Sequence, residues 1–243
     1  METSGNKILI TGGATGIGLA LVEQLEKTNK IIICGRRESK LLEAKKRYPE
    51  IYIKVCDLQY RYQRIEFVEW LKQEHKDLNI LINNAGIQKE LNLLKIKDFT
   101  DLTQETEINL IAPVHLSMLL IPHLSTKANA VIINITSGLA FTPIAFMPMY
   151  CATKAAMHSF SLSLRHQLVK TSIKVFEIIP PTVDTELDQG KREERHQTDR
   201  GISPREFAIQ AIDALKNDVY EAAIGSASNL RLKREEMFNN LNH

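Results

Sequence analysis

Short apolar runs, separated by stretches with helical periodicity, limit the fold of this 243-residue chain more than any other feature of its sequence. Runs that are apolar throughout are typical of strands buried on both faces of a sheet. Parallel strands of that kind need crossover connections, which amphipathic helices supply. The runs predicted as buried strands are 7–10, 30–34, 51–55, 80–82, 131–135 and 174–179.

The stretches between these runs repeat their apolar residues at helical spacing. After the first run, Ile17, Leu21, Val22 and Leu25 fall on one helical face. The same spacing predicts helices elsewhere, and a short strand and a charged helix from Arg231 close the chain. These later elements are helices at 41–48, 64–74, 103–121 and 152–169, and a strand at 220–224. The pattern predicts one α/β domain over residues 1–243, a doubly wound, Rossmann-like parallel sheet with helices on both faces.

Composition argues against several classes of protein. The 31 Lys and Arg residues nearly balance 29 Asp and Glu residues, so we predict no nucleic-acid partner. Three widely spaced cysteines form neither a zinc motif nor a disulfide framework, which favours the reducing cytoplasm. The most apolar longer segment, 110–124, is interrupted by Pro113 and Pro122 and falls short of a membrane span, and the N-terminus lacks a signal-peptide pattern. We therefore expect a cytoplasmic protein without a membrane span.

One segment differs in composition from the rest of the chain. Residues 186–200 are almost all polar, and a long polar insertion in a compact domain is usually a lid or a disordered loop. We predict a lid over about 186–203, and its polarity favours a polar or charged substrate over an apolar one. Ser203 and Pro204 predict the N-cap and first turn of a helix that continues through Leu215.

A glycine-rich turn follows the first predicted strand. The segment from Thr11 to Gly18 places Gly12, Gly16 and Gly18 where the next helix begins. In doubly wound sheets, ligands bind at the carboxyl ends of the strands, where a helix N-terminus offers free N–H groups to a pyrophosphate. The spacing is Gly-x-x-x-Gly-x-Gly and not the Gly-x-Gly-x-x-Gly fingerprint. We interpret the turn as a dinucleotide site, and a turn that binds nothing is the alternative.

The second predicted strand ends in Gly35, Arg36 and Arg37, with no acidic residue at its end. An acid at this place would bind the ribose hydroxyls of NAD, whereas arginine side chains match the 2′-phosphate of NADP. We therefore predict NADP(H) as the preferred cofactor, with NAD(H) as a second candidate. Two solvated arginines at the start of a helix are the alternative.

Three residues could carry acid–base chemistry. Tyr150 and Lys154 lie four positions apart at the start of a predicted helix, so their side chains share one face. A nearby cation lowers the pKa of a phenol from about 10 toward a range useful at neutral pH. Ser137 follows the fifth strand, where its hydroxyl could hydrogen-bond a substrate oxygen. Two helix-surface residues and a turn-capping serine are the alternatives.

Together these features resemble the short-chain dehydrogenase/reductase family, compact subdivision, over almost the whole chain. The motifs that carry the resemblance are the glycine turn, Asp57-Leu58, Asn83-Asn84-Ala85-Gly86, Asn109, Ser137, Tyr150-x-x-x-Lys154, and Pro180 with Val183 and Thr185. The sequences of segments 83–90, 136–141 and 150–168 are more similar still to those of the DltE-type oxidoreductases. Pro181 departs from the family pattern, which has glycine at this position. Proline fixes φ and has no backbone N–H, so it restricts the conformation of the nicotinamide-side loop in a way that glycine would not.

The resemblance implies about seven strands in the order 3-2-1-4-5-6-7 and a role for each matched residue. Tyr150 would be the proton donor or acceptor, and Lys154 would lower its pKa and hold the nicotinamide ribose. Ser137 would bind the substrate oxygen, and Asn109 would position a water in the proton path. The cofactor-binding residues predicted from motif and resemblance together are Gly12, Thr15, Gly16, Ile17, Gly18, Arg36, Arg37, Asp57, Leu58, Asn84, Ala85, Gly86, Tyr150, Lys154, Pro180, Val183 and Thr185.

These residues predict an NADP(H)-dependent oxidoreductase that interconverts a carbonyl and a secondary alcohol by hydride transfer. A catalytically silent nucleotide-binding regulatory or scaffold protein is the alternative from another class. A lyase or epimerase that oxidises its substrate transiently is a third hypothesis. Small residues on the helix after Tyr150, together with the resemblance, predict a homodimer or homotetramer built on this helix and on 103–121. Packing of these small residues against the sheet is the alternative. These small residues are Ala152, Ala156, Ser159 and Ser163.

The remaining polar and apolar features receive structural interpretations. We predict no metal site, because no carboxylates or cysteines converge on the histidines in the sequence. Cys151 is interpreted as a packed thiol, with a reactive thiol as the alternative. Apolar residues before Tyr150 either line an apolar pocket or pack within the loop. The histidines are His115, His123, His158 and His166, and the apolar residues are Phe141, Phe146, Met147 and Met149.

Overall fold

The computed structural model describes residues 1–95, 100–188, 190–194 and 199–242. Its strands are β1 (Lys7–Thr11), β2 (Lys30–Gly35), β3 (Tyr52–Val55), β4 (Ile80–Asn83), β5 (Ala130–Ile135), β6 (Ile173–Ile179) and β7 (Glu221–Ala223). Its α-helices are α1 (Gly16–Leu25), α2 (Glu38–Arg47), α3 (Arg61–Glu74), α4 (Thr100–Thr106), α5 (Ala112–Leu124), α6 (Pro148–Gln167), α7 (Lys191–Glu194), α8 (Pro204–Lys216), α9 (Ala227–Lys233) and α10 (Phe238–Leu241). A π-turn lies at Glu107–Ile111, and 3-10 turns lie at Gly138–Ala140, Glu186–Asp188 and Arg234–Met237.

The strands form one parallel sheet in the order β3-β2-β1-β4-β5-β6-β7. Apolar residues stand side by side in neighbouring strands, as in the register pair Leu9 and Ile32. The strand order reverses between β1 and β4, and ligands of doubly wound sheets bind at the carboxyl edge of such a switch point. The predicted fold class and strand order are confirmed.

Apolar side chains fill the space on both faces of the sheet. Along β1, Ile8 and Ile10 pack in the layer that contains α1 and α8, whereas Leu9 packs in the layer of α3 and α5. A strand between two helical layers buries every residue, which is why these runs are apolar throughout and do not alternate. Edge strand β3 differs, because Tyr52 and Val55 are exposed.

The helix predicted over 103–121 is interrupted by the π-turn. The backbone N–H of Ala112 donates to the carbonyl of Glu107, five residues earlier. Pro113 explains the interruption, because it has no N–H to donate to the carbonyl of Asn109, four residues before it. The hydrogen-bond pattern therefore changes around Asn109, the residue that the resemblance places in the proton path.

The C-terminal helix begins earlier than predicted and is broken. Helix α9 starts at Ala227, not at Arg231, and the chain turns at Arg234, whose φ is +49°. The hydroxyl of Thr142 donates to the carbonyls of Leu230 and Arg234 at 3.2 and 2.9 Å. Carbonyls at the end of a helix need such donors, so this tertiary contact fixes where α9 ends.

The helical stretch Leu102–Leu124 is long and apolar enough, by length and composition alone, to cross a membrane. It is longer than segment 110–124, which was predicted to be too short for a membrane span, because α4 and the π-turn extend the helical stretch toward the N-terminus. Leu116, Leu120 and Leu124 are fully buried in the core against the sheet. Core helices of globular proteins have the same composition, so this stretch is weak evidence for a membrane span.

Candidate active site

A cleft of about 440 Å³ opens at the carboxyl edge of the sheet. Its lining comes from the glycine turn after β1, the arginines after β2, the 84–86 segment after β4, and Tyr150 and Lys154 on α6. The topology therefore brings together residues that lie far apart in the sequence. Of the predicted cofactor-binding residues, Gly18 lies beneath the glycine turn and Val183 lies in the core, and the others line this cleft.

The glycine turn leaves room at the start of α1 that a larger residue would fill. Gly12 has a φ of +65°, and a Cβ there would lie 3.0 Å from the Cα of Ala85. A Cβ on Gly18 would lie 2.4 Å from the carbonyl oxygen of Gly12. Thr15 precedes the helix, and its hydroxyl does not cap the helical N–H groups. The turn thus leaves the first N–H groups of α1 to a ligand, as a pyrophosphate site requires.

Thr11, which is not among the predicted site residues, joins the glycine turn to the loop after β4. Its hydroxyl oxygen accepts hydrogen bonds from the backbone N–H groups of Asn84 and Ala85, both at 3.0 Å. The side chain of Asn84 donates to the carbonyl of Thr11 at 2.8 Å. These bonds fix the two loops of the switch point relative to each other. A polar residue ending an otherwise apolar strand was the signal that could have identified Thr11.

The two arginines after β2 have different partners. The guanidinium of Arg37 donates to the hydroxyl of Thr15 at 3.3 Å and lies 3.6 Å from the carboxylate of Glu186. Arg36 is exposed and lines the cleft. An exposed ion pair is weak, so a phosphate could replace Glu186 as the partner of Arg37.

Asp57 and Leu58 line the same end of the cleft. Asp57 accepts a hydrogen bond from the backbone N–H of Gln59 at 3.0 Å, and its own N–H donates to the side chain of Gln63 at 2.7 Å. Leu58 is buried. This local turn holds both residues at the carboxyl end of β3.

Tyr150 and Lys154 stand together on the first turns of α6. Both are buried, and the ammonium of Lys154 lies 5.7 Å from the centroid of the Tyr150 ring. The ammonium also donates to the carbonyl of Ile135, at the end of β5, at 2.9 Å. The alternative of two helix-surface residues is therefore wrong for this pair. A buried cation beside a phenol is the arrangement that lowers a phenol pKa.

Burial lowers the pKa of Lys154 to about 8, and the carboxylate of Glu177 opposes this shift. A lysine with a pKa near neutrality exchanges its proton readily at physiological pH. Lys154 can therefore both stabilise a phenolate and take part in proton transfer.

Ser137 and Asn109 complete the set that the resemblance predicts. The hydroxyl of Ser137 accepts a hydrogen bond from the backbone N–H of Leu139 at 3.1 Å, so it caps the 3-10 turn as its alternative reading proposed. A hydroxyl that accepts one bond still has a proton to donate, so capping is compatible with binding a substrate oxygen. Asn109 accepts from the N–H of Ile87 and donates to its carbonyl, both at 2.8 Å. Its amide also donates to Thr153 at 3.2 Å, so this side chain mainly fixes the 86–87 loop against α6.

The loop after β6 is held at both ends. Pro180 accepts a hydrogen bond from the N–H of Gly138 at 2.9 Å, beside Ser137. The N–H of Ile202 donates to the carbonyl of Thr182 at 3.1 Å, and the N–H of Asp184 donates to Ile202 at 3.0 Å. Val183 is buried in the core by this pairing, so its side chain does not reach the cleft, whereas Thr185 lines it. The predicted lid therefore starts and ends at a fixed backbone ladder.

The described part of the predicted lid has two apolar anchors, Leu187 beside the cleft and Ile202 against the core. Glu186, Lys191 and Glu194 are exposed, and the last two form an ion pair at 2.7 Å. Leu187 packs against a cluster formed by Met147, Tyr150 and Cys151. Residues 189 and 195–198 of this segment lie outside the described residues.

The apolar residues before Tyr150 divide into two groups. Phe146 and Met147 belong to the cluster around Tyr150, together with Leu139 and Ile144. Phe141 packs elsewhere, with Ile179 and Ala227, so its interpretation as loop packing is the correct one. Beside Tyr150 the cleft thus has an apolar wall formed by Leu187, with Phe146 and Met147 packed behind it.

The cysteine thiols of Cys34, Cys56 and Cys151 are all buried and free. Burial raises the pKa of each thiol, that of Cys56 to about 12. A thiol with a raised pKa is a poor nucleophile. Cys151 is therefore a packed thiol, in agreement with its structural interpretation.

One histidine contradicts the expectation that no carboxylates converge on the histidines. His158 lies with Glu177 and Glu221, and their ligand-type atoms fall within 4.8 Å of one another. The carboxylates come from β6 and β7, which pair in parallel register at these two residues. Sequence spacing could not reveal this group, because sheet pairing brings its members together.

Comparison with known proteins places this geometry in a family. The family described as short chain dehydrogenase matches residues 6–196. The chain is 49% identical over 234 residues to the uncharacterized oxidoreductase DltE of Bacillus subtilis (strain 168), covering 95% of this chain and 92% of that protein. It is 29% identical over 211 residues to the NADP-dependent 3-hydroxy acid dehydrogenase YdfG of Escherichia coli O6:H1 (strain CFT073), covering 83% and 85% of the two chains.

A solved structure agrees in fold over nearly the whole chain. The L-sorbose reductase of Gluconobacter frateurii, complexed with NADPH and L-sorbose, is 25% identical with a TM-score of 0.80, covering 91% of this chain and 95% of that chain. The family match, the relatives and the arrangement of the cleft agree with one another. The chain belongs to the short-chain dehydrogenase family of NAD(P)-dependent oxidoreductases.

Proposed function

We propose that the protein is an NADP(H)-dependent oxidoreductase that interconverts a carbonyl and a secondary alcohol, with Tyr150 as proton donor and acceptor. The observation that carries the proposal is the buried pair of Tyr150 and Lys154 at the cleft that the glycine turn opens. Burying a lysine costs free energy, and a buried cation beside a phenol favours the phenolate.

The residues of the cleft fit a dinucleotide. The start of α1 and the glycine turn would hold the pyrophosphate, and Lys154 would hold the nicotinamide ribose. The cofactor supplies or accepts the hydride when bound. Ser137 would orient the substrate oxygen with its hydroxyl proton, and Tyr150 would give that oxygen a proton in reduction and remove it in oxidation. Asn109 would serve the proton path by fixing the 86–87 loop against α6.

Arginine chemistry supports NADP(H) over NAD(H). Arg36 and Arg37 lie in the cleft at the end of β2, where an acidic residue would favour NAD. Guanidinium groups bind phosphate with paired, charge-assisted hydrogen bonds. The 3-hydroxy acid dehydrogenase relative is itself described as NADP-dependent.

The apolar wall supports a substrate with an apolar group next to the reacting carbon. Leu139, Phe146, Met147 and Leu187 surround Tyr150 on this side. The polar composition of the predicted lid favours a polar substrate. The lid residue that packs beside Tyr150, however, is Leu187, which favours an apolar group on the substrate. Apolar contact excludes water and strengthens the interaction of Tyr150 with the substrate oxygen.

We also propose a cytoplasmic homodimer or homotetramer. Helix α6 exposes Ala152, Ser159 and Ser163, and α5 exposes Met118. Small residues on one helix and an exposed large apolar residue on its neighbour are a surface that another helix can cover.

The direct test is NADPH oxidation, followed by absorbance, with a panel of aliphatic and aryl ketones, aldehydes and 3-keto acids. Wild type should consume NADPH with at least one of them, and Tyr150→Phe should not. Binding of NADPH without consumption of any carbonyl would favour the regulatory or scaffold alternative. Product formed without net cofactor change would favour transient oxidation, as in an epimerase.

A further inference from the structure

Glu177 is a fully buried carboxylate in the middle of β6, behind the predicted catalytic residues. The neighbouring positions of the strand are apolar and buried, so an apolar residue would suit this position better than a charge. Removing an ionised carboxylate from water is costly unless hydrogen bonds and an opposite charge compensate. The surroundings of Glu177 supply both.

Both oxygens of the Glu177 carboxylate have hydrogen-bond partners. One accepts from the hydroxyl of Thr136 at 2.7 Å, and the other lies 2.8 Å from Nδ1 of His158. Thr136 follows β5 directly before Ser137, and His158 lies one turn after Lys154 on α6. The carboxylate is therefore held between the two segments that carry the proposed catalytic groups.

Lys154 lies one helical turn before His158 on α6, and its ammonium reaches the residue before Thr136, so it is positioned by the same two segments that hold Glu177. Its ammonium is held at the carbonyl of Ile135, and Glu177 is the charge that opposes the effect of burial on it. Burial alone would drive Lys154 further toward its neutral form, which could not stabilise a phenolate. Glu177 keeps the lysine protonated at a higher pH than its burial would otherwise allow.

We propose that Glu177 is a positioning residue of this site, which holds Lys154 in its protonated form beside Tyr150, while Thr136 and His158 hold Glu177 in place. The catalytic consequence rests on the proposed function, but the electrostatic relationship between Glu177 and Lys154 does not. Charged and titratable groups reach Glu177 from each element packed against it. They are Lys154 and His158 on α6, and Glu221 on β7, which pairs with Arg231 on α9.

The same group of residues does not serve equally well as a metal site. The two oxygens of Glu177 accept hydrogen bonds from protein donors, and Glu221 pairs with Arg231. A metal ion would have to displace these donors. The arrangement is a connected row of polar groups, Lys154, Glu177, His158, Glu221 and Arg231, that runs from the cleft toward the surface.

The first test follows the titration of Lys154 directly by NMR of protein labelled with ¹³C at the lysine Cε. The signal of Lys154 is assigned by its loss in Lys154→Met. In Glu177→Gln, which keeps the size and polarity of the side chain, the titration midpoint should fall by about one pH unit or more. In Glu177→Asp, which keeps the charge, part of this shift should be restored.

Glu221→Gln is the matched control, because it makes the same chemical change in the same cluster one strand further from Lys154. Its Lys154 midpoint should stay at the wild-type value. An unchanged midpoint in Glu177→Gln overturns the proposal, and so does an equal shift in Glu221→Gln. None of these readings requires turnover.

The second test measures the pH profile of NADPH-dependent reduction, with 2,2,2-trifluoroacetophenone as the probe because its electron-poor carbonyl accepts hydride readily. A phenol without a nearby cation is a weaker acid, so the alkaline limb of kcat/KM should move to higher pH in Glu177→Gln and not in Glu221→Gln. Loss of rate with the same pH profile would show a structural role only and contradict the proposal. If wild type reduces no carbonyl at all while the Lys154 midpoint still falls, the proposed function fails and the electrostatic relationship stands.

If the single variant Glu177→Gln is too unstable for these titrations, the melting temperature of the double variant with Lys154→Met provides the test. Lys154→Met leaves the buried carboxylate without its cation, so adding Glu177→Gln to this variant should raise its melting temperature. A Glu177→Gln change that lowers the melting temperature as much in Lys154→Met as in wild type would show that the two side chains are not coupled, and would overturn the proposal.

Discussion

Glu186, at the start of the predicted lid, pairs with Arg37 at the end of β2, with 3.6 Å between the carboxylate and the guanidinium. Both side chains are more than half exposed, so the ion pair is weak and its partner can change. A cofactor phosphate at this place would compete with Glu186 for Arg37. The predicted lid and the cofactor preference would thus be connected through one arginine, and Arg36 would be the more independent phosphate ligand.

Arg36→Asp should therefore weaken NADPH binding and narrow or invert the preference over NADH. A carboxylate replaces attraction of the 2′-phosphate by repulsion, so the ratio of the two dissociation constants should change at least about tenfold. Isothermal titration of both cofactors measures the ratio. Arg47→Asp, at the far end of α2, is the control for a change in surface charge and should leave the ratio unchanged. Equal affinities of wild type for NADPH and NADH would contradict the NADP assignment.

Tyr150→Phe should abolish turnover while leaving cofactor affinity and the melting temperature nearly unchanged. Only the ionisable hydroxyl is removed, and the ring keeps its place in the apolar cluster. General acid–base groups contribute about 10²- to 10⁴-fold, so the residual rate should be at most about 1%. Phe146→Leu, a change in the same cluster without loss of a hydroxyl, should retain activity. Turnover at the wild-type rate in Tyr150→Phe would remove the proposed mechanism.

Lys154 should make the stability of the protein depend on pH above neutrality. Its pKa falls from 10.5 to about 8 in the folded chain. Between these two values the unfolded chain binds more protons than the folded chain, so the free energy of unfolding rises with pH. Relative to Lys154→Met, wild type should therefore gain up to about 3 kcal/mol from pH 8 to 10.5. Urea unfolding of both proteins across this range measures the difference, and a constant difference would exclude a depressed lysine pKa.

Lys154→Ala should also weaken cofactor binding and catalysis together, because both the nicotinamide ribose and Tyr150 would lose the ammonium group as a partner. Titration with NADPH and single-turnover reduction of a ketone separate the two effects. A variant in which only one of them changes would show that the shared role is wrong.

The exposed stripe on α6 should be covered in solution by another copy of the chain. Sedimentation of wild type at micromolar concentration should show a dimer or tetramer. Ser159→Arg adds bulk and charge to the stripe and should shift the protein toward monomer. Val169→Arg makes a similar change at an exposed residue beyond the end of α6 and should not. A monomeric wild type would contradict the predicted assembly.

The predicted lid should be cut early by trypsin in the absence of ligand and later with NADPH and substrate. Its polar composition offers little apolar surface to offset the entropy of ordering the chain, about 1 to 2 kcal/mol per residue. The cleavage sites are Lys191, Arg192 and Arg195, of which Arg195 lies outside the described residues. Leu187→Ser removes the contact with the cluster around Tyr150 and should speed cleavage further. Resistance of the ligand-free wild type would show that the segment is a fixed element.

Local patterns were sufficient to predict most of the strands and helices and the common helical face of Tyr150 and Lys154. Tyr150 and Lys154 share a helical face whatever surrounds them, and the glycine turn belongs to any strand-to-helix junction that must approach a ligand. The helix after Ser203 begins as predicted, with the Ser203 hydroxyl accepting from the N–H of Glu206 at 3.1 Å. These features depend on residues within a few positions of one another.

Tertiary structure decided the features that depend on which strands become neighbours. Thr11 meets Asn84 because β1 lies beside β4, and Glu177 meets Glu221 because β6 lies beside β7. Val183 lies in the core because its backbone pairs with Ile202, and Leu187 packs against the cluster that contains Tyr150. The sequence by itself determined the alternating strands and helices, the sheet edge for the ligand and the pair of Tyr150 and Lys154, because short-range periodicity and backbone conformation specify them. Only the folded chain determined which buried charge faces Lys154, because contacts between distant segments depend on strand order and packing and leave no local pattern.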